Sequence, residues 1–190
     1  VAIGLSLGGG GSPDTLHRDG NDYEHANGII SNNIIMNCAN DVGIYLNKAT
    51  NSTITHNILY NTLGVDVRFK ESSATISNNV LSGRIKARNN GRIVQNLNNF
   101  VLSRSWLTAA EPLDDLFYAP VNGDFTWQVN AFEPQKDIHT SKHADFCGKT
   151  VSFPYVGAYA GTDFCKNSIN LTNAKRQFKF TRDYEQHNEN

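Results

Sequence analysis

Hydrophobic and polar residues alternate along the first hundred positions in short segments that recur. One series consists of Gly4-Leu5-Ser6-Leu7-Gly8, Gly43-Ile44-Tyr45-Leu46-Asn47, Gly64-Val65-Asp66-Val67-Arg68 and, without the glycine in register, Arg84-Ile85-Lys86-Ala87-Arg88. Alternation over five residues rich in Ile, Leu and Val predicts a strand with one buried face.

A second series lies between these segments. It consists of Ile30-Ser31-Asn32-Asn33-Ile34, Ile54-Thr55-His56-Asn57-Ile58, Ile76-Ser77-Asn78-Asn79-Val80 and, more weakly, Ile93-Val94-Gln95-Asn96-Leu97. The copies begin at residues 30, 54, 76 and 93, which are 24, 22 and 17 residues apart. Two interleaved motifs with a period of roughly 22 residues indicate stacked repeats. We therefore predict an all-β parallel β-helix, in which each repeat forms one coil and equivalent residues stack roughly 4.8 Å apart.

One asparagine recurs in every copy of the second series. Stacked asparagine side chains can hydrogen-bond in a ladder, and asparagine also suits turns because it tolerates left-handed backbone. We predict such a ladder at Asn33, Asn57, Asn79 and Asn96. His56 stands where other copies carry Asn or Gln, and we interpret it as a turn residue.

These I-x-x-N-x-I/V/L and G-x-x-x motifs over residues 1–103 resemble the right-handed parallel β-helix repeat family, the pectate-lyase-like superfamily. Residues 145–159, which end in Val-Gly-Ala-Tyr, are similar to the closing segment of many secreted bacterial members. The resemblance implies a right-handed solenoid and the C-terminal part of a secreted bacterial-type protein. Lyases, sugar epimerases and phage tailspikes share this fold, so the resemblance indicates architecture far more than chemistry.

The composition divides the chain into three parts. Residues 1–103 form the coils, 104–165 a loop-rich C-terminal capping segment with a short helical pattern at 104–118, and 166–190 a polar tail. From Gly4 to Gly43 is 39 residues, so roughly 17 beyond one coil are inserted, in a loop at 9–27. Because the chain begins within a predicted strand, we expect missing N-terminal coils or a second chain to cover the open end.

Charge and cysteine content indicate which partners and which cellular compartment the chain suits. Seventeen basic and 18 acidic residues give no excess that favours nucleic acid, and no apolar run reaches transmembrane length. Cys147 and Cys165 would close a loop of about 19 residues, worth roughly 3 kcal/mol as a disulfide. Such a bridge predicts a secreted, periplasmic or cell-surface protein, whereas three reduced thiols would indicate a cytosolic one.

Outward-facing residues of the first series offer a binding surface. The predicted register places Ser6, Tyr45, Asp66 and Lys86 in one row and Gly8, Asn47, Arg68 and Arg88 in the next. Like charges at Arg68 and Arg88 on adjacent coils would favour an anion between them. With Tyr45 and Asp66 they form a predicted groove for an acidic sugar. The alternative is a solvated face, where the arginines pair with Asp66 and Glu71.

The inserted loop holds the densest run of catalytic-type side chains. Eliminative cleavage of a uronate polymer needs the sugar carboxylate neutralised by Arg or Ca²⁺, and a base for the neighbouring proton. The candidate bases are His17 and His25, with Lys86 poorer because Asp66 favours its charged form. Candidate Ca²⁺ ligands are Asp14, Asp19, Asp22 and Glu24. A hydrolase would instead use two carboxylates, and a merely solvated polar turn is the remaining alternative.

Two classes of function follow from these features. The first is an exported β-helix protein that binds or acts on an acidic polysaccharide, with a lyase or epimerase as the enzyme class. The second is a non-catalytic β-helix that serves glycan binding or a surface scaffold. A third possibility is the C-terminal fragment of a larger enzyme.

Overall fold

The computed structural model describes residues 3–17, 20–103, 110–128, 143–151 and 155–160. Within them, fourteen strands wind into four coils. The first coil contains β1 (Leu5–Gly8), β2 (His25–Ala26), β3 (Ile29–Ser31) and β4 (Ile34–Cys38). The second contains β5 (Ile44–Asn47), β6 (Ala49–Thr50), β7 (Ser52–Thr55) and β8 (Ile58–Thr62). The third contains β9 (Gly64–Arg68), β10 (Ser73–Ser77) and β11 (Val80–Ser82), and the fourth β12 (Arg84–Arg88), β13 (Arg92–Leu97) and β14 (Phe100–Leu102).

Equivalent strands of successive coils pair in parallel. They form three four-stranded sheets: the first β1-β5-β9-β12, the second β3-β7-β10-β13 and the third β4-β8-β11-β14. In the first sheet Leu5, Ile44, Val65 and Ile85 stand in register, as the repeat predicts. The expected all-β parallel solenoid is therefore confirmed.

Inward-facing aliphatic side chains fill the solenoid. Fully buried members of this interior cluster include Ile44, Leu46, Ile54, Val65 and Ile76. They come from alternate positions of the first and second sheets, so the alternation read from the sequence is what closes the coil around an apolar interior.

An asparagine ladder runs along the solenoid, with one difference from the sequence prediction. The side-chain amides connect Asn33 to Asn57, Asn57 to Asn79 and Asn79 to Asn99, at 2.8–3.0 Å. The fourth member is Asn99, so the prediction of Asn96 was wrong. Ile93 pairs with Ala74 and not with Ile76, which shifts the register by two positions, and a bulge in β13 adds a third because Thr75 pairs with Gln95. His56 has φ of 54°, as a left-handed turn residue should.

The capping segment covers the side of the solenoid. Two short antiparallel pairs belong to it: β15 (Phe117–Ala119) with β16 (Asp124–Trp127), and β17 (His143–Ala144) with β18 (Thr150–Val151). The described part of the cap also contains two 3₁₀ turns, Asp114–Leu116 and Pro120–Asn122, and the inserted loop contains a third, Asp14–Leu16. A helical pattern was predicted over residues 104–118, of which residues 104–109 lie outside the described ranges.

A second apolar cluster forms between the cap and the outer face of the third sheet. It contains Ile58 and Val80 from the sheet and Phe117, Trp127 and Val156 from the cap. Leu113 and Leu116 of the cap also pack in this lateral cluster. The third sheet is therefore apolar on both faces.

Polar contacts fix the cap to the coils. Tyr155 donates to Asn32 Oδ1 at 3.3 Å, and Asn32 Nδ2 donates to the carbonyl of Ala144 at 2.7 Å. Burial and the charge of Asp145 raise the pKa of Tyr155 to about 12. The phenol thus keeps its proton and remains a donor.

The last coil is open in the part of the chain that the structure describes. Val94 is 56% exposed and Leu97 51%.

Across the described ranges, no helix has the length and hydrophobicity needed to span a membrane. Cys38 is a buried thiol whose pKa is raised by burial, and it pairs in register with Thr62.

Candidate functional site

The outer face of the first sheet carries the two predicted rows. Tyr45, Asp66 and Lys86 are aligned on β5, β9 and β12, and Arg68 is aligned with Arg88. This register confirms which residues are neighbours. The contacts among them, however, differ from those of a simple charged row.

Asp66 and Arg88 form a chelated ion pair. Arg88 Nε donates to both carboxylate oxygens of Asp66, at 3.2 and 3.0 Å, and Nη2 donates a further short bond to Oδ2. The Asp66 side chain is 1% exposed, whereas that of Arg88 is 48% exposed. These hydrogen bonds and the charge of Asp66 raise the pKa of Arg88. Arg88 therefore does not share an anion with Arg68, and this contact is the one named in the alternative interpretation.

Arg68 makes different contacts. Its Nη1 donates to Tyr45 Oη at 3.4 Å, and its guanidinium carbon lies 4.7 Å from the centre of the Phe69 ring. Its Nε is buried and has no hydrogen-bond partner among the described residues. Glu71, the other carboxylate expected to pair with an arginine, instead lies 3.9 Å from Lys70. Arg68 is thus a cation that contacts the Tyr45 hydroxyl and the Phe69 ring and pairs with no carboxylate among the described residues.

A third cation on β12 was not among the predicted site residues. Arg84 is exposed and lies two positions before Lys86, so Arg84, Lys86 and Arg88 project from the same face of the strand. Residues 84–103 contain four basic residues and no acidic residue. The alternation in Arg-Ile-Lys-Ala-Arg already indicates that Arg84 shares a face with Lys86 and Arg88. The equivalent positions of earlier coils are glycines, so a comparison of the repeats does not mark this position as part of a side-chain row.

The inserted loop begins with a ring of backbone donors around one carboxylate. The amides of Gly9, Gly10 and Gly11 donate to the Glu24 side chain at 2.5, 2.7 and 3.0 Å. Burial alone would raise the pKa of Glu24, but these three bonds and the charge of Lys48 lower it. Glu24 is therefore an anchor for the loop, a role that the sequence did not indicate.

The loop encloses a pocket of about 320 Å³. Both predicted histidines line it, together with Ser12, Asn21, Tyr23 and Glu24. The structure thus brings His17 and His25 to one cavity, while Lys86 lies on the sheet face in the fourth coil. Tyr23 is a lining residue that the sequence prediction omitted.

The two histidines have different hydrogen-bond environments. His17 Nδ1 donates to the carbonyl of Asn21 at 2.7 Å, which places the lone pair of the neutral ring on Nε2. His25 Nδ1 is buried near Gly28 and lacks a hydrogen-bond partner in the described ranges. A buried N–H without an acceptor is costly, so the neutral His25 ring is expected to carry its proton on Nε2. The basic nitrogen of the neutral ring is therefore Nε2 in His17 and Nδ1 in His25, and both of these atoms are buried.

The predicted metal ligands do not converge in the described part of the loop. Asp19 and the side chain of Asp14 lie outside the described residues. Both oxygens of Glu24 are engaged by the glycine amides, and no group of three His, Cys, Asp or Glu residues in the described ranges could hold a metal ion. The Ca²⁺ site stays a prediction. So does the Cys147–Cys165 bridge, because Cys165 lies outside the described residues.

Acidification should release the start of the loop. Because the folded-state pKa of Glu24 is lowered, its stabilising contribution is complete above the unfolded value of about 4.3 and is lost as the pH falls through the folded pKa. We expect hydrogen exchange at the Gly9–Gly11 amides to accelerate below about pH 4. Glu24→Gln should show fast exchange already at pH 7. Glu71→Gln, which alters a carboxylate elsewhere, should exchange like the unaltered protein, and an equal acceleration in both variants would contradict the assignment.

Comparisons of the chain with family models, with curated proteins and with solved structures find no match. The candidate function therefore depends on the geometry of the outer face and of the loop.

Proposed function

We propose that this protein is exported and binds an acidic polysaccharide along the outer face of the first sheet. One observation carries the proposal. Arg68, Arg84, Lys86 and Arg88 share this face, whereas its one described strand carboxylate, Asp66, is buried and already paired. The face therefore holds cations in excess, and an anionic polymer would neutralise them.

The spacing of the cations suits an extended polymer better than a single small anion. Alternate residues of a strand are roughly 6.8 Å apart, so Arg84 and Arg88 are separated by roughly 14 Å along β12. The Tyr45 hydroxyl and the Phe69 ring both contact the Arg68 guanidinium. The two aromatic rings offer apolar surfaces on which a sugar ring can pack, next to a cation that meets its carboxylate.

Reversal of two charges on β12 should weaken binding strongly. In Arg84→Glu/Lys86→Glu the face loses two attractive charges and gains two repulsive ones, so affinity for pectate, alginate or chondroitin should fall at least about tenfold at low salt. Isothermal titration calorimetry measures this loss. Lys149→Glu changes an exposed charge in the cap and should leave affinity within about twofold. Unchanged affinity in the double variant would show that the polymer does not use this face.

A lyase is the second candidate, and the Nδ1 bond of His17 favours it because it orients the ring as a base. The same polymers distinguish the two functions, with and without Ca²⁺. An absorbance rise from unsaturated product that His17→Ala abolishes would establish elimination. Binding without any absorbance change would leave a binding module.

A further inference from the structure

We propose that Asp66 is a positioning residue, which holds the Arg88 guanidinium by one edge so that the other edge binds a single carboxylate of the polymer. This inference rests on the proposed function, because it concerns the same face and the same ligand. It places Asp66 behind the binding surface, whereas the sequence predicted a residue that contacts the sugar.

The two edges of the Arg88 guanidinium are in different situations. Each edge of an arginine fork can donate a pair of parallel hydrogen bonds to a carboxylate. The edge formed by Nε and Nη2 faces Asp66, because Nε donates to both carboxylate oxygens and Nη2 donates to Oδ2. The edge formed by Nη1 and the second N–H of Nη2 makes no hydrogen bond to any described residue. That second edge is therefore available for a ligand.

The two partners also differ in exposure. The Asp66 side chain is 1% exposed, so a polymer that lies on the outer face does not reach it. The Arg88 side chain is 48% exposed. The accessible part of the ion pair thus belongs to the arginine, and a carboxylate from solution meets the guanidinium at its second edge.

The register explains how Asp66 restricts Arg88. Arg88 is aligned with Arg68, and Lys86 is aligned with Asp66, so the Arg88 side chain reaches diagonally across to the previous row of the neighbouring strand. A long side chain that is free in solution loses rotamer entropy when a ligand immobilises it, and this loss weakens binding. Because Asp66 already immobilises Arg88, the ligand does not have to.

Asp66 also changes the kind of attraction that Arg88 offers. The opposite charges of the pair largely cancel at a distance, so the long-range attraction of this strand for an anionic polymer comes mainly from Arg84 and Lys86. Arg88 supplies instead a planar pair of donors at a fixed position, which matches the two oxygens of a carboxylate. Arg84 and Lys86 therefore attract the polymer, and Arg88 fixes one uronate in place.

Asp66→Asn tests this role, because simple charge attraction predicts the opposite result. The substitution removes a negative charge from a cationic face, so Coulomb attraction alone predicts tighter binding. We expect instead that affinity for a galacturonate hexasaccharide falls about threefold to tenfold, because asparagine keeps one acceptor oxygen and places an amide group against a guanidinium donor. Isothermal titration calorimetry at moderate salt measures the change. Glu71→Gln removes a carboxylate that lies beside Lys70, and should leave affinity within about twofold.

Arg88→Lys tests the fork without a change of charge. Lysine cannot donate two parallel hydrogen bonds to one carboxylate, so affinity should fall about tenfold. In Asp66→Asn/Arg88→Lys, affinity should be no lower than in Arg88→Lys alone, because Asp66 acts through Arg88. General damage to the sheet by Asp66→Asn would lower the affinity of the double variant further. Circular dichroism and thermal denaturation establish that each variant is folded.

The outcomes separate this inference from the proposed function. Equal or tighter binding by a folded Asp66→Asn variant, unchanged binding by Arg88→Lys, or additive losses in the double variant would overturn the positioning role and leave polymer binding on this face in place. If Asp66→Asn does not fold, the result for Arg88→Lys decides. Failure of the unaltered, folded protein to bind the hexasaccharide and pectate at low salt would overturn the proposed function and this inference with it.

Discussion

Replacement of Asn79 by alanine is expected to lower the free energy of unfolding by about 3 kcal/mol, with no change in the polymer-binding face. Asn79 is fully buried at the centre of the ladder. Its Oδ1 accepts from the backbone N–H and from Nδ2 of Asn57, both at 2.9 Å, and its Nδ2 donates to the carbonyl of Ile54 at 3.0 Å. Alanine removes the acceptor of the Asn57 backbone N–H and the donor to the Ile54 carbonyl, while Asn57 Nδ2 keeps its bonds to the carbonyls of Ile30 and Thr55. Each buried group left unsatisfied costs about 1–3 kcal/mol.

Asn96→Ala provides the matched control for this substitution. Sequence alignment of the repeats equates Asn96 with Asn79, but the structure places Asn96 on the exposed last coil, where it accepts one bond from Asn99. Its loss should cost less than about 0.5 kcal/mol. Urea denaturation followed by circular dichroism measures both variants. Similar losses at the two positions would show that the ladder does not run through Asn99.

Gly64→Ala should be as damaging for a different reason. Gly64 has φ of 94°, and an added Cβ would lie 2.1 Å from the carbonyl oxygen of Arg84 on the neighbouring coil. Since backbone cannot move away as a side-chain tip can, the pairing of β9 with β12 must open. Left-handed strain of about 1–2 kcal/mol and overpacking of about 1–3 kcal/mol together predict a loss of about 2–5 kcal/mol. Because β12 carries Arg84, Lys86 and Arg88, polymer affinity should fall with stability.

Gly11→Ala separates strain from collision. Gly11 has φ of 63°, but nothing lies within 4 Å of an added Cβ. This variant should therefore lose only the strain component, about 1–2 kcal/mol, and should bind polymer normally. Equal thermal denaturation midpoints for the two glycine variants would contradict the close packing of β9 on β12.

The sequence was sufficient to predict the solenoid and the register of its first sheet, because alternation has a period of two and a slip of one residue would expose the interior. It was insufficient at the fourth asparagine. The segment 93–97 matches the other copies through Ile93 and Asn96, but in the structure Ile93 pairs with Ala74 and a bulge then adds one residue. The backbone register therefore differs from the motif alignment by three positions. The sequence also could not predict that the cap packs on the side of the solenoid, because alternation does not show which sheet's outer face the cap covers.

For the site, the sequence predicted which side chains are neighbours but not which of them pair. Lys86 is the direct neighbour of Asp66 in the register, yet Arg88, one row away, takes the carboxylate because a guanidinium can chelate both oxygens. In the loop, His17 and His25 were predicted together and do line one pocket. The anchoring role of Glu24 could not be predicted, because three glycine amides that converge on a carboxylate are a property of the folded backbone and not of residue types.

The doubly apolar third sheet also has a consequence for biosynthesis. Ile58 and Val80 are made early, but the cap residues that shield them, such as Phe117 and Val156, leave the ribosome much later. The four coils can wind as they emerge, because each contacts mainly its neighbour. The outer face of the third sheet nevertheless remains an exposed hydrophobic surface until residue 156 has been translated. A nascent chain stalled or cleaved between these points would present that surface to chaperones and to aggregation.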